Sequence, residues 1–216
     1  MKVTMIRYTT NPDELAARAA SICTNTTPKP EVMLSALEQG HESILEHITF
    51  TFLIEDVSRV LLAQLTRHRI ASFSVQSQRY VSYADGFGYV IPPSIVELGT
   101  DAVKRYMNQM ETLLRWYIEW RDLLGKKKQE DARFVLPGAC TTTILMTMNV
   151  RELRHFFGLR ECEQAQWEIR QMAKEMHKLA STVAPLSFKG AGADCKNCRE
   201  KRPCPRKQKA QVSAIG

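Results

Sequence analysis

The densest group of side chains able to do chemistry is RHRIASFSVQSQR, where Arg67, His68, Arg69 and Arg79 frame Ser72, Ser74 and Ser77. Guanidinium groups grip oxyanions through planar, paired N–H bonds, hydroxyls add donors, and an imidazole can stack or move a proton. The group can therefore hold an anion. Arginines also gather at helix C-termini because they complement the dipole, and for RHR alone that is the stronger reading. The extension to Ser77 and Arg79, through a stretch without other charges, shifts the balance toward a binding site. Covalent serine chemistry at Ser77 is disfavoured, since no Gly-x-Ser-x-Gly surrounds it and no acid stands obviously placed to orient His68.

These residues need elements to position them. Val3 and Met5 alternate with Lys2 and Thr4 as in a short strand, and Asn11-Pro12 opens a helix. A second helix is expected over residues 31–38, stopped by Gly40 and delivering HESILEH. ITFTFLI reads as a buried strand. Asp56 or Ser58 can cap the next helix, with Val60, Leu61 and Leu65 on one face and its end near RHR. Residues 70–90 show no helical period and read as loop with short extended pieces. One long helix is expected over residues 94–124, with Val103, Met107, Met110, Leu114 and Ile118 in approximate repeat, ending at Gly125 and the lysines beyond it. A short helix ending at VLPG, a strand at CTTTILMTMN and helices over residues 151–159 and 163–180 complete the pattern. Antiparallel strands mixed with long helices predict an α+β fold.

Composition sets the class. The chain has 216 residues, 44% of them hydrophobic, enough for one cored domain over residues 1–188. No apolar run approaches the roughly 20 residues of a membrane span, and the N-terminus lacks a secretory h-region, so a cytoplasmic address is expected. Six cysteines without secretory context predict reduced thiols. The net charge of +7 is concentrated in residues 189–216, where Lys189 to Lys209 holds eight Lys and Arg against Asp194 and Glu200. The body is nearly neutral, so a global polyanion-binding argument fails. The tail also carries Cys195, Cys198 and Cys204, which lack the fourth ligand of a closed zinc site; no metal is expected. A flexible basic tail is the simpler reading.

Arg67-His68-Arg69, seven residues, then Ser77 and Arg79 resembles the signature of the flavin-dependent thymidylate synthases. HESILEHITFTF, DARFVLP, TMNVRELRHFFGLR and AQWEIR resemble that family in the same order, over roughly residues 1–184. Two positions depart from it. Many members have Asn-Glu where Ser74-Val75 stands, so only a backbone contact carries over at Val75, and Gln78 replaces a common glycine.

The resemblance implies an enzyme that converts dUMP to dTMP with FAD, NADPH or NADH as reductant, and 5,10-methylenetetrahydrofolate as carbon donor, with no enzyme nucleophile. It further implies a homotetramer with the flavin between subunits and dUMP stacked on its ring. His41, Ser43, Arg67, His68, Arg69, Val75, Asn149, Arg151 and His155 correspond to FAD contacts. Gln64, Arg67, Ser77, Gln78, Arg79, Arg133 and Arg160 correspond to dUMP contacts, with Arg79 and Arg133 at the phosphate. Gln64 and Arg67, three apart, are expected on one helix face. Arg160 corresponds to the catalytic residue: a guanidinium is no acid near neutral pH, but it stabilises negative charge developing on a pyrimidine. Each has a plain structural alternative: Asn149 as helix cap, His155 as a satisfied imidazole, Arg160 as a cation in a last helical turn. Two other functions suit parts of the sequence: a nucleic-acid-binding module using RHR and the tail, and a non-catalytic scaffold built on the central helix.

Overall fold

A computed structural model describes residues 1–125, 128–195, 198 and 204. Four strands, β1 (Lys2–Tyr8), β2 (Thr49–Ser58), β3 (Ala71–Val75) and β4 (Thr141–Asn149), form one sheet in the order β1-β2-β4-β3. Eight α-helices accompany them among the described residues: α1 (Pro12–Thr24), α2 (Pro30–Glu38), α3 (Arg59–Leu65), α4 (Pro93–Glu97), α5 (Thr100–Leu124), α6 (Gln129–Ala132), α7 (Val150–Arg160) and α8 (Trp167–Val183). This is the α+β architecture the patterning predicts.

The sheet follows from alternation. In β2, Phe50, Phe52 and Ile54 are buried; in β4, Thr142, Ile144, Met146 and Met148 are. β-branched and aromatic side chains fill such pleated faces, and each large one buried contributes about 1.5–3 kcal/mol. The β2–β4 pairing is antiparallel: Val150 N donates to Ile48 O at 2.9 Å at one end, and Arg59 N to Cys140 O at 3.1 Å at the other.

The chain divides into two compact units. The first comprises Met1–Lys2, Ile54–Arg67 and Phe73–Leu145. Its core gathers Tyr83, Tyr117, Ala132 and Cys140, with Leu114, Ile118 and Val135 against them. The second comprises Val3–Leu53, His68–Ser72 and Met146–Gly216. Its helix α8 buries Ile169, Met172, Ala173, Met176 and Ala180, a spacing that makes one helical stripe. Asp13, in the first turn of α1, accepts from the backbone amides of Leu186 and Ser187 at 2.9 Å each, and from Ser187 Oγ at 2.5 Å.

Several boundaries differ from the sequence reading. The single helix expected over residues 94–124 is two, because Gly99 adopts φ 95° and breaks the ladder between α4 and α5. In α3 only Leu61 and Leu65 are buried; Val60 is 49% exposed, one residue too far round the helix to join them. Ser58, not Asp56, caps α3, accepting from Leu61 N at 3.0 Å. α8 begins at Trp167 rather than residue 163, because Gln166 caps it with bonds from Glu168 N and Ile169 N. Two lysines after Gly125 and most of the 189–216 tail lie outside the described residues. Cys195, Cys198 and Cys204 are described and are free thiols. Among the described residues no helix is long and apolar enough to cross a membrane.

Candidate active site

Candidate site residues occur in both units, and each set has its own logic. In the first unit, α3 ends at Leu65 and Arg67 N donates to Gln64 O at 3.4 Å, so the chain has left the helix before Arg67. The shared helical face expected for Gln64 and Arg67 does not form. Val75 ends β3, and the loop beyond is pinned by its backbone: Gln76 N donates to Thr143 O at 2.9 Å, and Arg59 Nη2 donates to Gln76 O at 2.5 Å. Ser77 Oγ accepts from Arg79 N at 3.1 Å, a local turn that hydroxyls favour. Gln78 is directed at the buried Cys140, its Nε2 lying 3.7 Å from Sγ. Burial holds the Cys140 thiol above its ordinary pKa, so it stays protonated.

Arg79 is exposed, bonds Glu130 Oε2 through Nε at 2.6 Å, and lies over the Tyr80 ring. The Glu130 carboxylate raises the guanidinium's pKa further. Glu130 belongs to α6, and Arg133, half-buried, opens the 3-10 turn that follows. The first unit thus brings Arg79 to the segment that carries Arg133.

In the second unit, His41 precedes the 3-10 turn Glu42–His47, and with Ser43 it lines an apolar cleft of about 560 Å³ beside α1 and α2. Arg69 is exposed. Asn149 caps α7, its side chain accepting from Glu152 N at 2.8 Å, as its structural alternative predicts. The same residue, with Arg151 and His155, lines a second cleft of about 480 Å³ that Glu42, Glu46, Glu152 and Ile70 complete. Arg151 pairs with Glu46, which raises its pKa.

His68 is buried, contrary to what a basic segment at a helix end implies, and both ring nitrogens are engaged. Glu152 Oε1 lies 3.1 Å from Nδ1, and Arg160 Nε donates to Nε2 at 3.0 Å. Rings back the imidazole edge-on: Phe156 at 4.9 Å and 80°, and His155 at 6.1 Å and 63°. Burial pulls the His68 pKa below its ordinary 6.5; the Glu152 hydrogen bond opposes this and the Arg160 charge adds to it. The ring is therefore neutral at neutral pH. An acid does orient His68, which corrects the sequence expectation.

Glu152, Arg59 and Glu130 are the residues that sequence reasoning missed. Glu152 stands three positions after the cap Asn149, where an acid is ordinary helix-start chemistry, and its partner is 84 positions away. Arg59 carried a signal, since a cation in the first turn of a helix opposes the dipole and needs a reason. His68, Glu152 and His155 place potential metal-ligand atoms within 4.8 Å of one another. The Arg160 guanidinium on His68 Nε2 sets a fixed positive charge there, which opposes a metal cation.

Comparison with known proteins bears on this geometry. Residues 4–186 match the family model described as thymidylate synthase complementing protein. The chain is 43% identical over 220 residues to a flavin-dependent thymidylate synthase of Geobacter sulfurreducens, covering 95% of this chain and 91% of that one. It is 50% identical over 167 residues to the protein of the same name in Nitratidesulfovibrio vulgaris, covering 74% and 67%. Among solved structures, the Helicobacter pylori flavin-dependent thymidylate synthase ThyX, complexed with FAD and dUMP, aligns with a TM-score of 0.66 and 25% identity, covering 89% of this chain and all of that one.

Proposed function

The chain belongs to the flavin-dependent thymidylate synthase family, and from that premise we propose how its residues divide the work of converting dUMP to dTMP. It is a FAD-dependent enzyme. The observation that carries the site reading is the Arg160–His68 bond, which joins the RHR segment to the last turn of α7 across 92 positions. Two family motifs become one group of atoms.

The donor chemistry of the Asn149 cleft fits FAD. Arg151, exchanging Glu46 for the ligand, offers a guanidinium to an anionic group, while Glu42 and Glu46 suit hydroxyl and amino groups. A dinucleotide exceeds one such cleft, which supports sharing of FAD between subunits, with His41, Ser43, Arg67, Arg69 and the Val75 backbone as further contacts. When bound, the flavin supplies the hydride.

Arg79 and Arg133 hold the dUMP phosphate, Arg79 exchanging its Glu130 partner for the ligand. Gln64, Arg67, Ser77 and Gln78 orient the nucleotide. Arg160 faces the O and N3 edge of the pyrimidine, where its charge stabilises developing negative charge, making C6 a better hydride acceptor and C5 a better nucleophile. NADPH as reductant and methylenetetrahydrofolate as carbon donor complete the stoichiometry. A homotetramer agrees with the apolar surface of α5, where Trp116 is 50% and Leu123 70% exposed. A cytoplasmic location accords with the free thiols. The rival nucleic-acid reading is weakened by the burial of His68, which removes the centre of RHR from any polyanion.

The test is direct. The purified protein should bind FAD, with a flavin absorption band that dUMP perturbs, and release the C5 hydrogen of dUMP only with reductant and folate donor present. Protein that ignores added FAD would refute the reading.

A further inference from the structure

We infer that Glu152 is a positioning residue for Arg160, acting through His68 as an intermediary whose tautomer it fixes. The inference rests on the reading of Arg160 as the catalytic guanidinium. A guanidinium has only donors, so the 3.0 Å contact from Arg160 Nε requires His68 Nε2 to present its lone pair. The ring proton is then on Nδ1 and points at Glu152 Oε1, 3.1 Å away. The opposite tautomer would set N–H against N–H at Arg160 and leave Nδ1 without a proton for Glu152. Only one arrangement satisfies both neighbours.

The chain of bonds is held on every side. Glu152, Phe156 and Arg160 follow one another at four-residue spacing on α7, so acid, aromatic ring and guanidinium stand on one stripe. His68 fits against that stripe, touching all three. The His68 and Glu152 side chains are only 5% and 9% exposed. Burying a carboxylate is costly unless its bonds repay the loss of water, and this one bonds the imidazole. Burial and the Arg160 charge both keep the ring neutral, the state in which Nε2 can accept. The Nε bond fixes the plane of the guanidinium, and with it the direction in which its charge meets a ligand. Carboxylate partners of metal-ligating histidines fix tautomer and ring orientation in the same way elsewhere, and their loss typically costs about 10–100-fold.

The experiment compares two substitutions of similar volume. Glu152→Gln keeps an oxygen that accepts from Nδ1–H; Glu152→Met fills the space without one. With dUMP, FAD, NADPH and methylenetetrahydrofolate, E152M should lose about 10–100-fold in kcat. The rate is read per bound flavin, since Glu152 also lines the Asn149 cleft, and E152Q should recover most of it. A purely packing role predicts that both variants behave alike, and that result, or a wild-type kcat in E152M, overturns the inference. In the double variant E152M/R160K the loss should not exceed that of R160K alone; additive losses also overturn it. Nitrogen-15 spectra of imidazole-labelled wild-type protein give a reading that needs no variant to fold: a proton on Nε2 of His68 refutes the proposal. If R160K turns over at the wild-type rate, the catalytic reading of Arg160 fails instead, whatever the tautomer shows.

Discussion

The two candidate regions differ in how far they are assembled before any ligand arrives. In the second unit, His68 lies buried between a carboxylate and a guanidinium, with aromatic rings behind it and both nitrogens committed. In the first unit, Arg79 is exposed and bonded to a half-buried glutamate, on a loop fixed through its backbone by Arg59. The contrast teaches a division of labour. Groups that must stabilise developing charge gain most from being set in advance, because reorienting them during reaction costs free energy. A phosphate grip tolerates an exchangeable partner, since the ligand brings its own charge and arrives from water.

This contrast can be broken, most severely at Arg160. Replacing it with Lys keeps the charge but removes the planar fork and the Nε donor to His68, and dTMP formation should fall by about 100-fold or more, as for loss of an oxyanion donor. C5 hydrogen release from dUMP measures this, and an unaltered rate would dissolve the distinction between the regions. Next in size is Arg79→Ala, which should raise the Kd for dUMP by about tenfold while leaving FAD content intact. Titration of the flavin band with dUMP reads it, and retained affinity would remove Arg79 from the phosphate site.

A smaller effect separates the regions by pH. The folded-state pKa of His68 is depressed, so the unfolded chain binds more protons once pH drops below about 6.5. The stabilisation is fully present above that value and is lost as pH falls toward the folded-state pKa, with no further loss from this group below it. Glu152, Arg160 and His155 face the ring and shape the curve. Between about pH 7 and 5, Tm should fall less in His68→Gln than in the wild type, whereas Arg79→Ala should leave the slope unchanged. Parallel curves for H68Q and the wild type would contradict this. Smallest is Glu130→Gln, which releases Arg79 from an exposed pair and should tighten dUMP binding by a few-fold at low salt. Weaker binding would instead make Glu130 a contributor to the site.

Much of this was legible in the sequence because its causes are local. Alternation marked β2 and β4, Asn149 and Ser58 sit where caps belong, and Gly40 stops α2 with φ 81°. The break at Gly99 was less so, since the apolar repeat on either side of it continues in phase with one helix. Among candidate site residues, the RHR segment was visible from type and spacing, and Arg160 from the resemblance of its motif to the family. Glu152 was not: its sequence neighbours explain it as a helix-start acid, and only the tertiary meeting with His68 gives it another role. Glu130 hid similarly among the acids of QED before Arg133. Distant pairings of charge leave no period for a sequence to display.

The clamp at Asp13 carries a consequence for how the protein is made. Its carboxylate fastens the chain just past α8 to the start of α1, 173 and 174 positions apart. During synthesis, helix α1 leaves the ribosome long before Ser187, so the second unit cannot close until nearly all of the first has been translated through its middle. Contacts of such sequence separation are slow to form because loop closure must be paid before they stabilise anything. The nascent α1 can meet α2 and the Glu42–His47 turn early, but its fastening through Asp13 is completed only when the chain beyond α8 has emerged.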